Sequence, residues 1–173
     1  MAVTVTDFSA RVKTQLAGAI RNALYESGAE VASHANRNVQ SEYEAGEKLR
    51  GSYRCDVNMA GTKATIGTPH EEGYWEEFGT GSHADMVKNG GVPGRTEWWV
   101  YVPYETPRVT HHINCIHRTE EEANAVAASL RAAGKDAYAT DGNDPNYTLE
   151  KAFIANKRTI ERIFETDIGL GMA

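Results

Sequence analysis

The chain has 173 residues, with 18 Lys and Arg against 24 Asp and Glu, a formal net charge of −6; that is the length of one ordinary domain. Leu, Ile, Val and Phe number only 30, about 17 % of the chain, yet the charge is too small for a disordered chain, so a folded domain is expected whose lean core is completed against partner chains. No apolar run nears the ~18–20 residues of a membrane span, the first residues lack the order of a secretory signal, two cysteines make no disulfide framework, and the acidic balance argues against reading nucleic-acid sequence.

Phe8, Val12, Leu16, Ile20 and Leu24 recur every four residues. This spacing predicts a helix over residues 7–38, capped by Thr6 or Asp7 and resumed beyond Gly28 by Val31, Ala35 and Val39. Residues 41–46 read as a turn. Tyr53, Cys55, Val57 and Met59 then alternate with polar residues, the pattern of a half-buried strand. Ala60 and Gly61 turn the chain, and residues 62–67 return as its hairpin partner.

Residues 67–96 carry seven glycines and two prolines around one aromatic–acidic cluster, Tyr74, Trp75, Glu76, Glu77 and Phe78. A loop this long is usually functional or disordered. It is expected to be mobile in the free chain and ordered by assembly. Phe78 is expected to anchor it in the core, and Gly79 to permit a positive φ or a close backbone approach.

Residues 98–104 read as a strand ending at an edge with Pro103. Trp98 and Trp99 point to opposite faces, so one of them must meet another surface. A strand over residues 108–117 follows. Thr119 and Glu122 form a capping box for a helix carrying Ala123, Val126, Ala127 and Leu130, which Gly134 ends. Residues 135–140 return as a strand. This strand–helix–strand unit, about 107–144, reads as a parallel, right-handed, self-contained insertion. A last helix opens near Tyr147 or Thr148 with Leu149, Phe153, Ile160, Ile163 and Phe164 as its apolar stripe, and residues 169–173 are expected to fray. The elements predict an α+β fold over residues 1–173. Its long N-terminal and C-terminal helices pack on a small, mainly antiparallel sheet.

Chemistry is sparse in the sequence. His111, Cys115 and His117 share one strand face and are metal-ligand types. Their spacing spreads them over ~14–20 Å of strand, too wide for one tetrahedral ion, and no metal is expected. His111 and His112 face opposite ways. Glu71, Glu72, Glu76 and Glu77 have no nucleophile or Asp-rich ligand spacing beside them. No cofactor is expected, and the cysteines read as small buried hydrophobes. Gly79-Thr-Gly81 lacks the Lys-Ser/Thr of a phosphate loop. An enzyme or metal protein built on residues 111–117 remains as an alternative, as does a binding module that uses the insertion.

One arrangement points further. A long helix leads to Gly46, Leu49 and Ser52; a hairpin follows, then Tyr74, Glu77, Phe78, Gly79 and Thr80, and an amphipathic helix closes the chain. This order resembles the gene-product-ten-like tail-component family of long-tailed bacteriophages, the tail-completion or head–tail joining proteins. The likeness covers residues 7–82 and, more loosely, 146–166. The Gly46–Leu49 gap is one residue longer than the family's, and Ala45 stands where Thr is usual. The resemblance implies a structural virion protein with no catalysis, forming a ring, sixfold in symmetry, between tail tube and head connector. A tail terminator or another minor tail ring is the alternative within it. Its implied partners are copies of itself, a head connector or stopper protein, and a tail tube or terminator protein. No membrane and no sequence-specific nucleic acid are implied, although DNA passes through such a ring. Trp75, Trp98, Trp99, Glu76, Arg50 and Arg54 are the candidate interface residues, with the loop acids facing a neighbour's Arg50 and Arg54.

Overall fold

A computed structural model describes residues 8–41, 43–91, 96–102 and 116–172. Its elements run α1 Ser9–Asn38, α2 Tyr43–Leu49, β1 Arg54–Val57, β2 Ala64–Gly67, α3 Glu72–Phe78, a 3₁₀ turn Gly81–His83, β3 Trp98–Tyr101, β4 Ile116–His117, α4 Glu120–Ala132, β5 Tyr138–Thr140 and α5 Thr148–Met172. The fold is α+β, with long helices at both ends. The strands divide between a two-stranded and a three-stranded sheet. None of the described helices is long and apolar enough to cross a membrane.

The chain forms two compact units, one of Met1–Asn38, Tyr53–Thr68 and Leu149–Ala173, the other of Val39–Ser52 and Pro69–Thr148. In the first, α1 packs on the β1–β2 hairpin, which is antiparallel with Arg54 opposite Gly67 and Val57 opposite Ala64. Asn36 fixes the approach. Its Oδ1 accepts from the Tyr53 amide at 3.0 Å and its Nδ2 donates to the Tyr53 carbonyl at 3.1 Å. Tyr53 is buried, but Met59, expected on the same face, lies in the turn and is 96 % exposed. Alternation stops where the ladder stops.

The helices meet through small residues. The buried line of α1 is Ala19, Ala23, Ser27, Val31 and Ala35, beside Gly28 and Ala32. The expected stripe is only partly covered: Phe8 and Val12 are exposed, and Leu16, Ile20 and Leu24 are half-buried. On α5 the buried residues are Ala152 and Asn156, while Phe153 is exposed. Asn156 Nδ2 lies 2.9 Å from His34 Nδ1. Fifteen residues on, a Cβ at Gly171 would come within 2.7 Å of the Ala19 methyl. The two contacts, fifteen residues apart on each helix, set α1 and α5 antiparallel, with room for no side chain at Gly171. They also explain why the tail does not fray, since α5 runs through Gly169 and Gly171 to Met172.

In the second unit β3 is the middle strand, antiparallel to both β4 and β5. The expectation of a self-contained insertion at 107–144 is corrected on this point. β4 and β5 run parallel to each other but never touch, because Trp98–Tyr101 lies between them. The unit's core is Val100, Ala123, Ala127 and Ala137, with Trp98, Val126 and Leu130 packed against it. Thr119 Oγ1 accepts from the Glu122 amide at 3.3 Å. The Glu122 carboxylate reaches back one residue beyond the cap, to the Arg118 amide at 3.2 Å. Gly134 ends the helix at φ +80°. Residues 103–115, with Pro103, Pro107, His111, His112 and Cys115, lie outside the described residues, as do residues 92–95.

Gly28 tests the close packing of α1. Helix propensity alone predicts that Gly28→Ala stabilises by ~1 kcal/mol. A Cβ there runs into Cys55 Sγ, and overpacking a filled site costs ~1–3 kcal/mol. Urea unfolding of Gly28→Ala should therefore show a loss, and the double variant Gly28→Ala/Cys55→Ala should regain most of it. A gain in the single variant would contradict this packing.

Candidate functional site

The aromatic–acidic cluster is the centre of the second unit's polar structure. It forms α3, not a loop, with Glu72, Gly73, Glu76 and Glu77 buried. Glu76 is only 5 % exposed and accepts from five donors. Gln40 N lies 2.7 Å from Oε1 and Ser41 N 3.1 Å from Oε2, and Ser41 Oγ donates to the same oxygen. Asn146 Nδ2 at 2.7 Å and Thr148 Oγ1 at 3.1 Å complete the set on Oε1. Burial alone would push this carboxyl up. The hydrogen bonds from Ser41, Gln40, Asn146 and Thr148 outweigh it and hold the group below the ordinary glutamate value. Glu76 therefore ties α3 to the segments at 40–41 and 146–148. It does not face a neighbour's arginine, as the sequence reading expected.

The other motif residues also serve the fold. A Cβ at Gly46 would overlap the Ser41 carbonyl. Leu49 is fully buried, and Ser52 Oγ donates to its carbonyl at 2.8 Å. Arg50 donates to the Ser41 carbonyl at 3.0 Å, and Glu72 pairs with Lys48 at 3.1 Å. Gly79 has φ +73°, and a Cβ on it would meet the Asn143 carbonyl at 2.6 Å. Both reasons expected for a glycine there hold. Phe78, expected as a core anchor, is half-buried, with its ring tilted against Tyr74 at 5.0 Å.

Downstream of α3 the chain is latched to the β5–α5 connection. Thr80 N donates to Asn143 O and Ser82 N to Asp141 O, both at 2.9 Å. Thr80 Oγ1 accepts from the Asn143 amide at 3.0 Å. Ser82 Oγ donates to Asp141 at 2.5 Å. His83 bridges Asp144 at 2.8 Å and Asp141 at 3.2 Å. Those two carboxylates, Asp144 first, raise the imidazole above its ordinary value of 6.5. Asp141 is lowered, first by Ser82. Ser82 bonds the carboxylate and not the imidazole, so no activated nucleophile is present in this cluster. Nearby, Tyr147 takes a positive φ of 51°, rare for a bulky residue. Its hydroxyl on Asp85 at 2.7 Å and Lys88 over its ring at 4.2 Å hold it there. The sequence carried no signal for these pairings, whose partners lie some sixty residues apart.

The outward residues are fewer. Trp75 and Tyr74 are exposed on α3, and the Tyr74 hydroxyl donates to the Asn89 carbonyl at 3.2 Å. Trp98 faces the core and Trp99 the opposite face of the sheet, level with Ile116 and Thr140. Arg54 lies in the first unit, exposed on β1. It lines an open groove of about 460 Å³ with Tyr25, Arg37, Tyr53 and Cys55. Burial, then Asp56, pushes the Cys55 thiol up. Of the proposed metal ligands only His117 is described, and among the described residues no group of three potential ligands converges. The chain matches no protein-family model, no curated protein and no solved structure.

Two outcomes follow from the carboxylates. Glu76→Gln places an NH₂ against donors, so it should cost ~2–4 kcal/mol in urea unfolding. Because the folded Glu76 sits below about 4.5, its contribution is present above that pH and is lost as pH falls through the folded value. The acid limb of the stability–pH curve should flatten in Glu76→Gln. His83 has the opposite sign. Its bridge is complete below pH 6.5 and weakens as pH rises through the raised value. An NMR titration should place His83 above 6.5, and Asp144→Asn should lower it.

Proposed function

We propose that this chain is a structural protein of a tailed-bacteriophage virion, a subunit of a ring at the head–tail junction. In this reading the ring is sixfold. It contacts the head connector or stopper protein on one side and the tail tube or terminator protein on the other. DNA passes through its lumen without sequence-specific contacts. The chain carries no catalysis and needs no cofactor. It is made in the host cytoplasm and ends in the neck of the particle. A tail terminator ring is the nearest alternative.

The observation that carries the reading is the ordered pair of motifs around the hairpin. Their residues are spent on architecture: Gly46 and Gly79 on close backbone approach, Leu49 on the interior, Ser52 and Thr80 on hydrogen bonds. Motif residues that supply shape and not chemistry suit a ring subunit. So does the apolar surface left outward, with Trp75, Met86, Phe8 and Phe153 all exposed, because ring contacts bury such surface.

Electron microscopy of the purified chain should show closed rings, and labelled antibody should mark the neck of particles that contain it. A chain that stays monomeric and is missing from particles contradicts the reading. Elemental analysis checks the absence of chemistry: stoichiometric zinc would restore the enzyme or metal-protein alternative at residues 111–117.

A further inference from the structure

Gly171 of α5 meets Ala19. About ten residues of α1 form an overhang N-terminal to that contact, roughly 15 Å of helix at ~1.5 Å per residue. Phe8, Val12 and Leu16 lie on the side that meets α5 at Ala19, since an i, i+3 step from Leu16 reaches Ala19 and an i, i+4 step from there reaches Ala23 within one helical face. The same face continues into the overhang with large apolar residues, of which Phe8 is 58 % and Val12 40 % exposed. The overhang is also basic. From Phe8 to Gly18 the sequence holds Arg11 and Lys13 and no acid.

A surface of the opposite character exists on the other unit. Tyr74 and Trp75 on α3 and Met86 and Val87 in the following turn are all exposed. The Tyr74–Asn89 hydrogen bond ties helix to turn, and exposed Glu71 stands at the helix start. The unit itself holds 8 Lys and Arg against 16 Asp and Glu, a net charge of −8, whereas the first unit holds 10 against 8, a net charge of +2.

We propose that the N-terminal overhang of α1 is a docking arm that seats on the Tyr74–Trp75 surface of a second copy of this chain. Apolar Phe8 and Val12 meet the aromatic patch, and Arg11 and Lys13 meet Glu71 and the net negative unit that carries it, with Lys88 beside Val87 drawn onto the Tyr147 ring. Two arms laid antiparallel across Val12 would bring Arg11 of each against Lys13 of the other, so arm-to-arm pairing is opposed by like charge. Arm and patch are different surfaces, so the contact is head-to-tail. Each copy offers one of each, and assembly continues until the rotation closes. This deepens the ring reading and rests on it only for closure.

The test uses the full chain and sedimentation velocity across concentrations up to about 100 µM, a range that reports micromolar contacts. Phe8→Ser/Val12→Ser alters the arm, and Trp75→Ser/Met86→Ser alters the patch. All four residues are exposed, and circular dichroism with thermal melting verifies that both variants fold. Each variant alone should lose self-association by on the order of 100-fold, as for central apolar anchors. Mixed one to one, they retain one intact arm and one intact patch, so they should form heterodimers and nothing larger. Raising salt from about 0.1 to 1 M should weaken wild-type association. The proposal fails if wild type is monomeric throughout, if the patch variant associates like wild type, or if mixing restores nothing. An open filament built through arm and patch keeps this inference and removes the junction ring. A closed ring that survives both double substitutions does the reverse.

Discussion

The buried carboxylate of Glu76 sets the second unit. Three stretches far apart in sequence, at 40–41, α3 and 146–148, present amides, hydroxyls and an amide side chain to its two oxygens. None of those donors carries a charge. A carboxylate taken out of water costs several kcal/mol unless its lone pairs are filled, and here five donors fill them. The arrangement is all-or-nothing, because removing one segment leaves a charge buried with too few partners. That is how a unit with few large apolar side chains acquires one specified geometry. Hydrophobic burial alone is non-directional, and the interior here is mostly alanine with Val100 and Leu49.

The glycine latch depends on the same anchoring. Gly79, Gly81 and Gly142 all have positive φ, and the backbones at 80–82 and 141–143 approach too closely for any side chain at Gly81 or Gly142. Fixing glycines costs more conformational entropy than fixing other residues. Neighbouring contacts offset that cost: Glu76 at one end, His83 between its aspartates at the other, and Tyr147 held against Asp85. The segment that composition marks as a loop thus carries a helix, a 3₁₀ turn and these cross-links between residues 72 and 91.

Local signals in the sequence read correctly where the physics is local. The four-residue step announces α1, alternation announces β1, Thr119 and Glu122 announce α4, and Gly134 ends it. Errors begin where the decision belongs to another part of the chain. Periodicity located the large apolar residues of α1, but the buried line is the adjacent, mostly small one, where Gly28 meets Cys55 of the hairpin and Ala19 meets Gly171 of α5. On α5 likewise Phe153 is exposed, with Ala152 and Asn156 taking the buried side. Glu76 reads as a surface acid because nothing nearby in sequence shows its donors, two of which lie seventy residues on. The crossover between β4 and β5 predicts parallel neighbours, and their directions are parallel. That β3 lies between them was decided by Trp98 and Val100, which cover the same face of α4.

Assignment of the acids narrows what is left for partners. Glu76 and Glu72 are consumed inside the second unit, by neutral donors and by Lys48, and Asp141 by Ser82 and His83. Exposed acids remain, Glu71, Glu97 and Glu121 among them, on a unit whose net charge is −8. Self-repulsion of that size works against compactness. Proximity to a cationic surface relieves it, and the other unit of the same sequence carries the opposite sign together with the uncovered α1 face. Charge of this kind directs encounter and register more than it adds affinity. In the proposed contact the affinity comes from the apolar residues exposed on the same two surfaces. A core this lean, with apolar and charged excesses divided between the two halves of the chain, is what the proposed contact with a second copy would complete.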